Sequence, residues 1–113
     1  MSRKASGFRA WALQRVTAIY MALFGSYLLI MMLCAAPENY QAWQAWFAGP
    51  VMSIAMLVFV VSVVFHAWVG MRDIFIDYVK PIAVRATLLS VLALGLLVCG
   101  LWAAQILIMV RLT

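Results

Sequence analysis

The sequence predicts an all-α integral membrane protein: three transmembrane helices with a short interfacial helix between the first and the second. Three observations carry that prediction. Of 113 residues, 69% are hydrophobic and only 10% are charged, a balance far outside that of soluble domains. Three uncharged runs, at residues 16–36, 51–71 and 86–110, match the length of about 20 helical residues that spans roughly 30 Å of hydrocarbon. The basic residues stand at the ends of these runs, where they set topology. A net charge of +5 therefore does not point to nucleic acid, which calls for a clustered basic face. We read residues 1–113 as a single membrane anchor domain, with no internal repeat and no low-complexity segment.

The N-terminal MSRKASGFRAWALQR resembles the basic opening of a signal peptide. The apolar run behind it is too long for a cleavable core, and Pro37 follows its small-residue end, so it reads as a retained first span. Next comes PENYQAWQAWFAGP (37–50). It is bounded by Pro37 and by Gly49-Pro50, and it spaces Tyr40, Trp43, Trp46 and Phe47 as a helix would. Aromatics at this depth favour a helix lying along the membrane surface. The second span leads into RDIFIDYVKP (72–81), a charged stretch read as loop, and the third span closes the chain. In lipid each span must be helical to satisfy its own backbone groups, which predicts a three-helix bundle.

Arg3, Lys4, Arg9 and Arg15 precede the first span, no Lys or Arg lies in 37–50, and Arg72, Lys80 and Arg85 follow the second span. The positive-inside rule then places the N-terminus and the 72–85 loop in the cytoplasm, and the 37–50 loop and C-terminus outside, on the periplasmic side. Arg111 alone dissents. Small residues recur at every fourth position, as Ala18, Ala22 and Ser26 on the first span and Gly95, Cys99 and Ala103 on the third; such stripes are expected packing faces. Cys34 and Cys99 lie in apolar runs without CxxC or CxxCH spacing, which argues against a disulfide framework, an iron–sulfur site and a c-type haem. Both read as small apolar packing residues.

The chemistry concentrates between His66 and Pro81. Ser62, His66 and Gly70 fall at i, i+4 and i+8 of the second span, so one narrow face carries a hydroxyl, the sole imidazole of the chain and a residue without a side chain. That face suits either a flat macrocycle with His66 as axial ligand to its iron, or an imidazole that merely hydrogen-bonds a neighbouring helix with Gly70 present for packing. Both readings stand on the pattern alone. Bis-histidine ligation would need a second chain or a second copy. Arg15, at the cytoplasmic mouth of the first span, suits either cofactor carboxylates or the lipid headgroups. Tyr78 and Asp77 suit hydrogen bonding and proton delivery to a quinone carbonyl, or simple anchoring and charge balance.

The blocks HAWVGM (66–71) and DYVKP (77–81), with His and Tyr twelve residues apart, resemble the D-type hydrophobic membrane anchors of succinate dehydrogenase, respiratory complex II. The likeness runs over the whole chain and includes the Arg15-Val16-Thr17-Ala18-Ile19 start of the first span. It implies that His66 is one axial ligand of haem b, shared with a second, partner membrane anchor, and that Tyr78 hydrogen-bonds ubiquinone with Asp77 adjacent. It also implies that Arg15 lies near the haem propionates. Arg72-Asp73 departs from the family, which carries neutral residues there.

The function expected from the likeness is the membrane anchor of a succinate:ubiquinone oxidoreductase in a bacterial inner membrane. It docks the flavoprotein and iron–sulfur subunits to the bilayer, contributes to the ubiquinone-reduction site and is not an enzyme by itself. Two rivals are the anchor of a fumarate reductase or haem-free complex II, with His66 structural, and a small homo-oligomeric transporter. Against the transporter, Glu38, Asp73 and Asp77 all lie outside the spans.

Overall fold

The computed structural model describes residues 3–112, with side chains from Gly7 onward; the side chains of Arg3 and Lys4, counted above toward topology, lie outside what is described. The chain forms four helices: α1 (Arg3–Cys34), α2 (Tyr40–Ala48), α3 (Pro50–Tyr78) and α4 (Ile82–Leu112). No strand occurs among the described residues, and three of the helices are long and apolar enough to cross a membrane. The protein is a multi-pass membrane protein.

The long helices run past the uncharged runs. α1 has 32 residues, about 48 Å at the helical rise, because the Ala-rich FRAWALQR contains nothing that breaks a helix. The stretch 72–78, expected as loop, continues α3 through Tyr78 for the same reason: charge alone does not end a helix. The break comes where Pro81 disfavours helical backbone in the residue before it, and Val79 caps α3 in extended conformation, its N–H donating to Phe75 O. Only residues 79–81 then connect α3 to α4, which makes the two antiparallel neighbours.

At the opposite end, Asn39 caps α2 by accepting from Ala42 N at 2.8 Å, and Pro50 opens α3, where its missing N–H costs nothing. Trp43, Trp46 and Phe47 stack on one another with centroids 5.1–6.0 Å apart, while Tyr40 stays exposed. α2 packs against both α3 and α4.

A closed bundle does not form. α3 is the middle of a row: it touches α1 on one side and α4 on the other, and α1 and α4 do not meet. Only Val69 and Leu107 are buried hydrophobics among the described residues, and no side chain there is fully buried. A single chain lends each helix just one or two packing partners, so most apolar surface is left for lipid or other subunits.

The seams differ from the expected stripes. α1 meets α3 through Gln14, Thr17, Phe24 and Gly25, set against Gly70, His66 and Phe59; Ala22 and Ser26 do not join them. On α4 the close approach is at Gly100, where an added Cβ would stand 3.3 Å from Val64 Cγ2, whereas a Cβ on Gly95 would meet nothing within 4 Å. Cys34 and Cys99 are exposed and free rather than packed. Every face of α4 is apolar, so hydropathy could not say which face turns toward α3. Gly100→Leu is therefore expected to destabilise the chain by about 1–3 kcal/mol through overpacking, while Gly95→Ala, with open space around the new Cβ, does not destabilise it and gains up to about 1 kcal/mol of helix propensity. Denaturation of the two variants in detergent checks this.

Candidate functional site

The site grows out of the α1–α3 seam. Thr17 is buried, with a relative exposure of 6%, and its hydroxyl contacts three groups: Leu13 O at 2.7 Å, Gln14 O at 3.2 Å and His66 Nδ1 at 3.1 Å. The first two are the back-bonds a threonine makes inside a helix; the third crosses to α3 and fixes the imidazole ring. The other ring nitrogen, Nε2, makes no hydrogen bond among the described residues.

The His66 ring lines an open cavity of about 590 Å³ together with Trp11, Gln14, Arg15, Ala18, Val69, Arg72 and Asp73. Arg15, four residues on from Trp11, lays its guanidinium over the indole with 5.7 Å to the ring centroid, a cation–π contact that holds the charge beside the cavity. The structure thus brings His66 and Arg15 to one wall. It adds the Arg72–Asp73 ion pair, N to O at 3.2 Å and partly exposed, an arrangement worth little to stability. Arg72 also shares a neighbouring groove with Arg9, so this end of the row is its basic end.

Four residues that the sequence offers to the site do not line the cavity. At Gly70 an added Cβ would stand 3.3 Å from Gln14 Nε2, so the Gln14 side chain lies over this glycine, and Gly70 does not line the cavity. Ser62 is buried on the same face of α3, one turn before His66, and does not line the cavity. The physical reason is common to both: the face bearing Ser62, His66 and Gly70 is the one α1 covers, and His66 reaches the cavity from the edge of that seam. Tyr78 and Asp77 are exposed at the C-terminal end of α3, Tyr78 lying about 18 Å from His66 along the axis, and neither lines the cavity.

Sequence reasoning missed Thr17 and Gln14 as site residues. Their spacing at i and i+3 in an otherwise apolar segment was the signal, since two polar groups on one helix face need partners. Gln14 Oε1 is the one buried side-chain oxygen or nitrogen among the described residues that lacks a hydrogen-bond partner. No group of three or more His, Cys, Asp or Glu converges among the described residues, so the chain supplies one imidazole to a wall and not a metal cage.

Three membrane-crossing helices with a histidine and an arginine sharing one cavity at the basic end define a class, the helical multi-pass membrane proteins with a polar site near one end of the spans. Comparison with known proteins gives the family. Residues 1–102 match the family described as the succinate dehydrogenase/fumarate reductase transmembrane subunit. The chain is 34% identical over 105 residues to the succinate dehydrogenase hydrophobic membrane anchor subunit of Coxiella burnetii, covering 93% of this chain and 91% of that one. It is 33% identical over 90 residues to the protein of the same name from Rickettsia conorii, covering 79% and 71%, and 33% identical over 91 residues to that from Rickettsia felis, covering 80% and 76%. The chain belongs to the succinate dehydrogenase/fumarate reductase transmembrane subunit family, as a hydrophobic membrane anchor subunit.

Proposed function

We propose that this anchor co-ligates haem b through His66 Nε2, with the second axial ligand from a partner membrane anchor, and that it forms part of the ubiquinone-reduction site of a succinate:ubiquinone oxidoreductase. The observation that carries the reading is the shared cavity: an imidazole pinned by Thr17 at one nitrogen, with the other unbonded, beside the Arg15 guanidinium. The residues fit one side of a flat, carboxylate-bearing group. His66 offers a lone pair, Arg15 a charge for propionates, and Gln14 an orphaned acceptor for a donor or water. The sole histidine of the chain would supply one ligand to the iron, and the open side of the cavity leaves room for another polypeptide to supply the rest.

When bound, haem b contributes one-electron redox capacity at the membrane. This chain's own residues bind and orient. Tyr78 donates its phenol hydrogen to a ubiquinone carbonyl, where negative charge develops on reduction, and Asp77 relays protons from the aqueous face. Both are exposed in the single chain, so their pocket is completed by neighbouring polypeptides. Electrons arrive from the flavoprotein and iron–sulfur subunits, which dock at the cytoplasmic face of a bacterial inner membrane. The N-terminus and the α3–α4 turn lie on that face by the distribution of basic residues.

Purification in mild detergent tests the assembly. Mass spectrometry of the intact complex is expected to show four different subunits: this chain, a second anchor, an iron–sulfur protein and a flavoprotein. A homo-oligomer without large soluble partners overturns the reading in favour of a transporter.

A further inference from the structure

We infer that Thr17 is a positioning residue for the haem ligand: its hydroxyl oxygen accepts the His66 Nδ1–H, which selects the imidazole tautomer whose Nε2 lone pair is free to bind iron. The inference rests on the haem reading above and deepens it.

Counting protons around the Thr17 oxygen, one arrangement satisfies the carbonyl and the imidazole contacts together. A carbonyl oxygen can only accept, so the 2.7 Å contact of Thr17 Oγ1 with Leu13 O is a hydrogen bond only if Thr17 donates its proton there. The hydroxyl has one proton. The 3.1 Å contact with His66 Nδ1 is then a hydrogen bond only if the ring supplies the hydrogen. Both contacts are satisfied together when Nδ1–H donates to Oγ1 and Oγ1–H donates to Leu13 O, with Gln14 O at 3.2 Å as a second carbonyl within reach. The opposite tautomer would set an N–H at Nε2 and leave no lone pair there for a metal.

Burial strengthens the assignment. Thr17 is shielded within the α1–α3 seam, so water does not compete for its oxygen, and the helical backbone of α1 holds the carbonyls in place. The charged groups facing the ring from the cavity wall are Arg15, Arg72 and Asp73, and none of them hydrogen-bonds it. A ligand imidazole that donates through its second nitrogen is fixed in orientation and made more basic, which favours the oxidised iron.

The test uses the intact complex carrying Thr17→Val, which keeps the shape and removes the hydroxyl, and Thr17→Ser, which keeps the hydroxyl and removes the methyl. Co-purification of the four subunits in mild detergent verifies assembly. The expected result is that Thr17→Val raises the haem midpoint potential and shifts the low-spin g-values in electron paramagnetic resonance, while Thr17→Ser retains both native values. Native values in Thr17→Val, or equal shifts in the two variants, overturn the inference. Should Thr17→Val fail to assemble, Thr17→Ala takes its place against Thr17→Ser by the same criteria. His66→Ala in the same series separates the two levels. A native low-spin spectrum there defeats the haem reading itself, whereas loss of that spectrum alongside a native Thr17→Val defeats only the role of Thr17.

Discussion

His66→Ala is expected to abolish the six-coordinate, low-spin b-type spectrum of the purified complex. The chain has one histidine, and no group of three His, Cys, Asp or Glu among the described residues converges to hold a metal by other means. On the proposed ligation, removing the imidazole would leave the iron without a ligand from this chain, because no other side chain of α3 brings an uncharged nitrogen or a sulfur to the cavity wall. Either haem is lost or a five-coordinate form remains that binds carbon monoxide. The reduced-minus-oxidised spectrum with and without carbon monoxide reads both outcomes; an unaltered low-spin band insensitive to carbon monoxide sinks the assignment. The substitution also breaks the Thr17 contact across the α1–α3 seam, a neutral hydrogen bond worth about 0.5–1.5 kcal/mol, so the subunit composition is measured beside the spectrum. Loss of the spectrum with the four subunits still together therefore reports ligation and not unfolding.

The second large effect is expected from Tyr78→Phe, which removes one oxygen from an exposed side chain. A packing role predicts nothing from that change, because Tyr78 makes no hydrogen bond among the described residues. A role at the quinone carbonyl predicts a fall of roughly 10²-fold in quinone reduction, the size seen when one donor to a developing oxyanion is deleted. Succinate oxidation by an artificial soluble acceptor bypasses the membrane and should be unchanged. Equal loss of both activities, or loss of neither, speaks against the site. The two variants read different places, since about 18 Å of helix separates the residues: His66→Ala should alter the spectrum first, and Tyr78→Phe should leave it native.

The helices are legible residue by residue. Pro37, Gly49-Pro50 and Pro81 punctuate the chain where the turns occur, and the aromatic run with Asn39 before it becomes α2. Polar stretches mislead. RDIFIDY has the charge of a loop, yet it holds no glycine or proline to break a helix, and α3 continues through it until the approach to Pro81 stops it. The site is half legible. His66 and Arg15 stand out as polar groups at the edges of apolar runs and do share a wall, but Gly70 and Ser62, which the helical spacing offers to a ligand, lie on the face that α1 occupies.

By itself, then, the order of residues determined that this is a three-span helical protein and roughly where each span lies. Hydropathy and helix-breakers are local properties, and in a chain this apolar they decide secondary structure and membrane residence. Only the tertiary structure decided which faces meet: that α3 is the middle of an open row, that Gly100 rather than Gly95 takes the close approach, and that Thr17 stands opposite His66. A helix apolar all round carries no moment that marks its packing face, so the facing pairs are chosen by shape and by the few polar groups that must find one another across the seam.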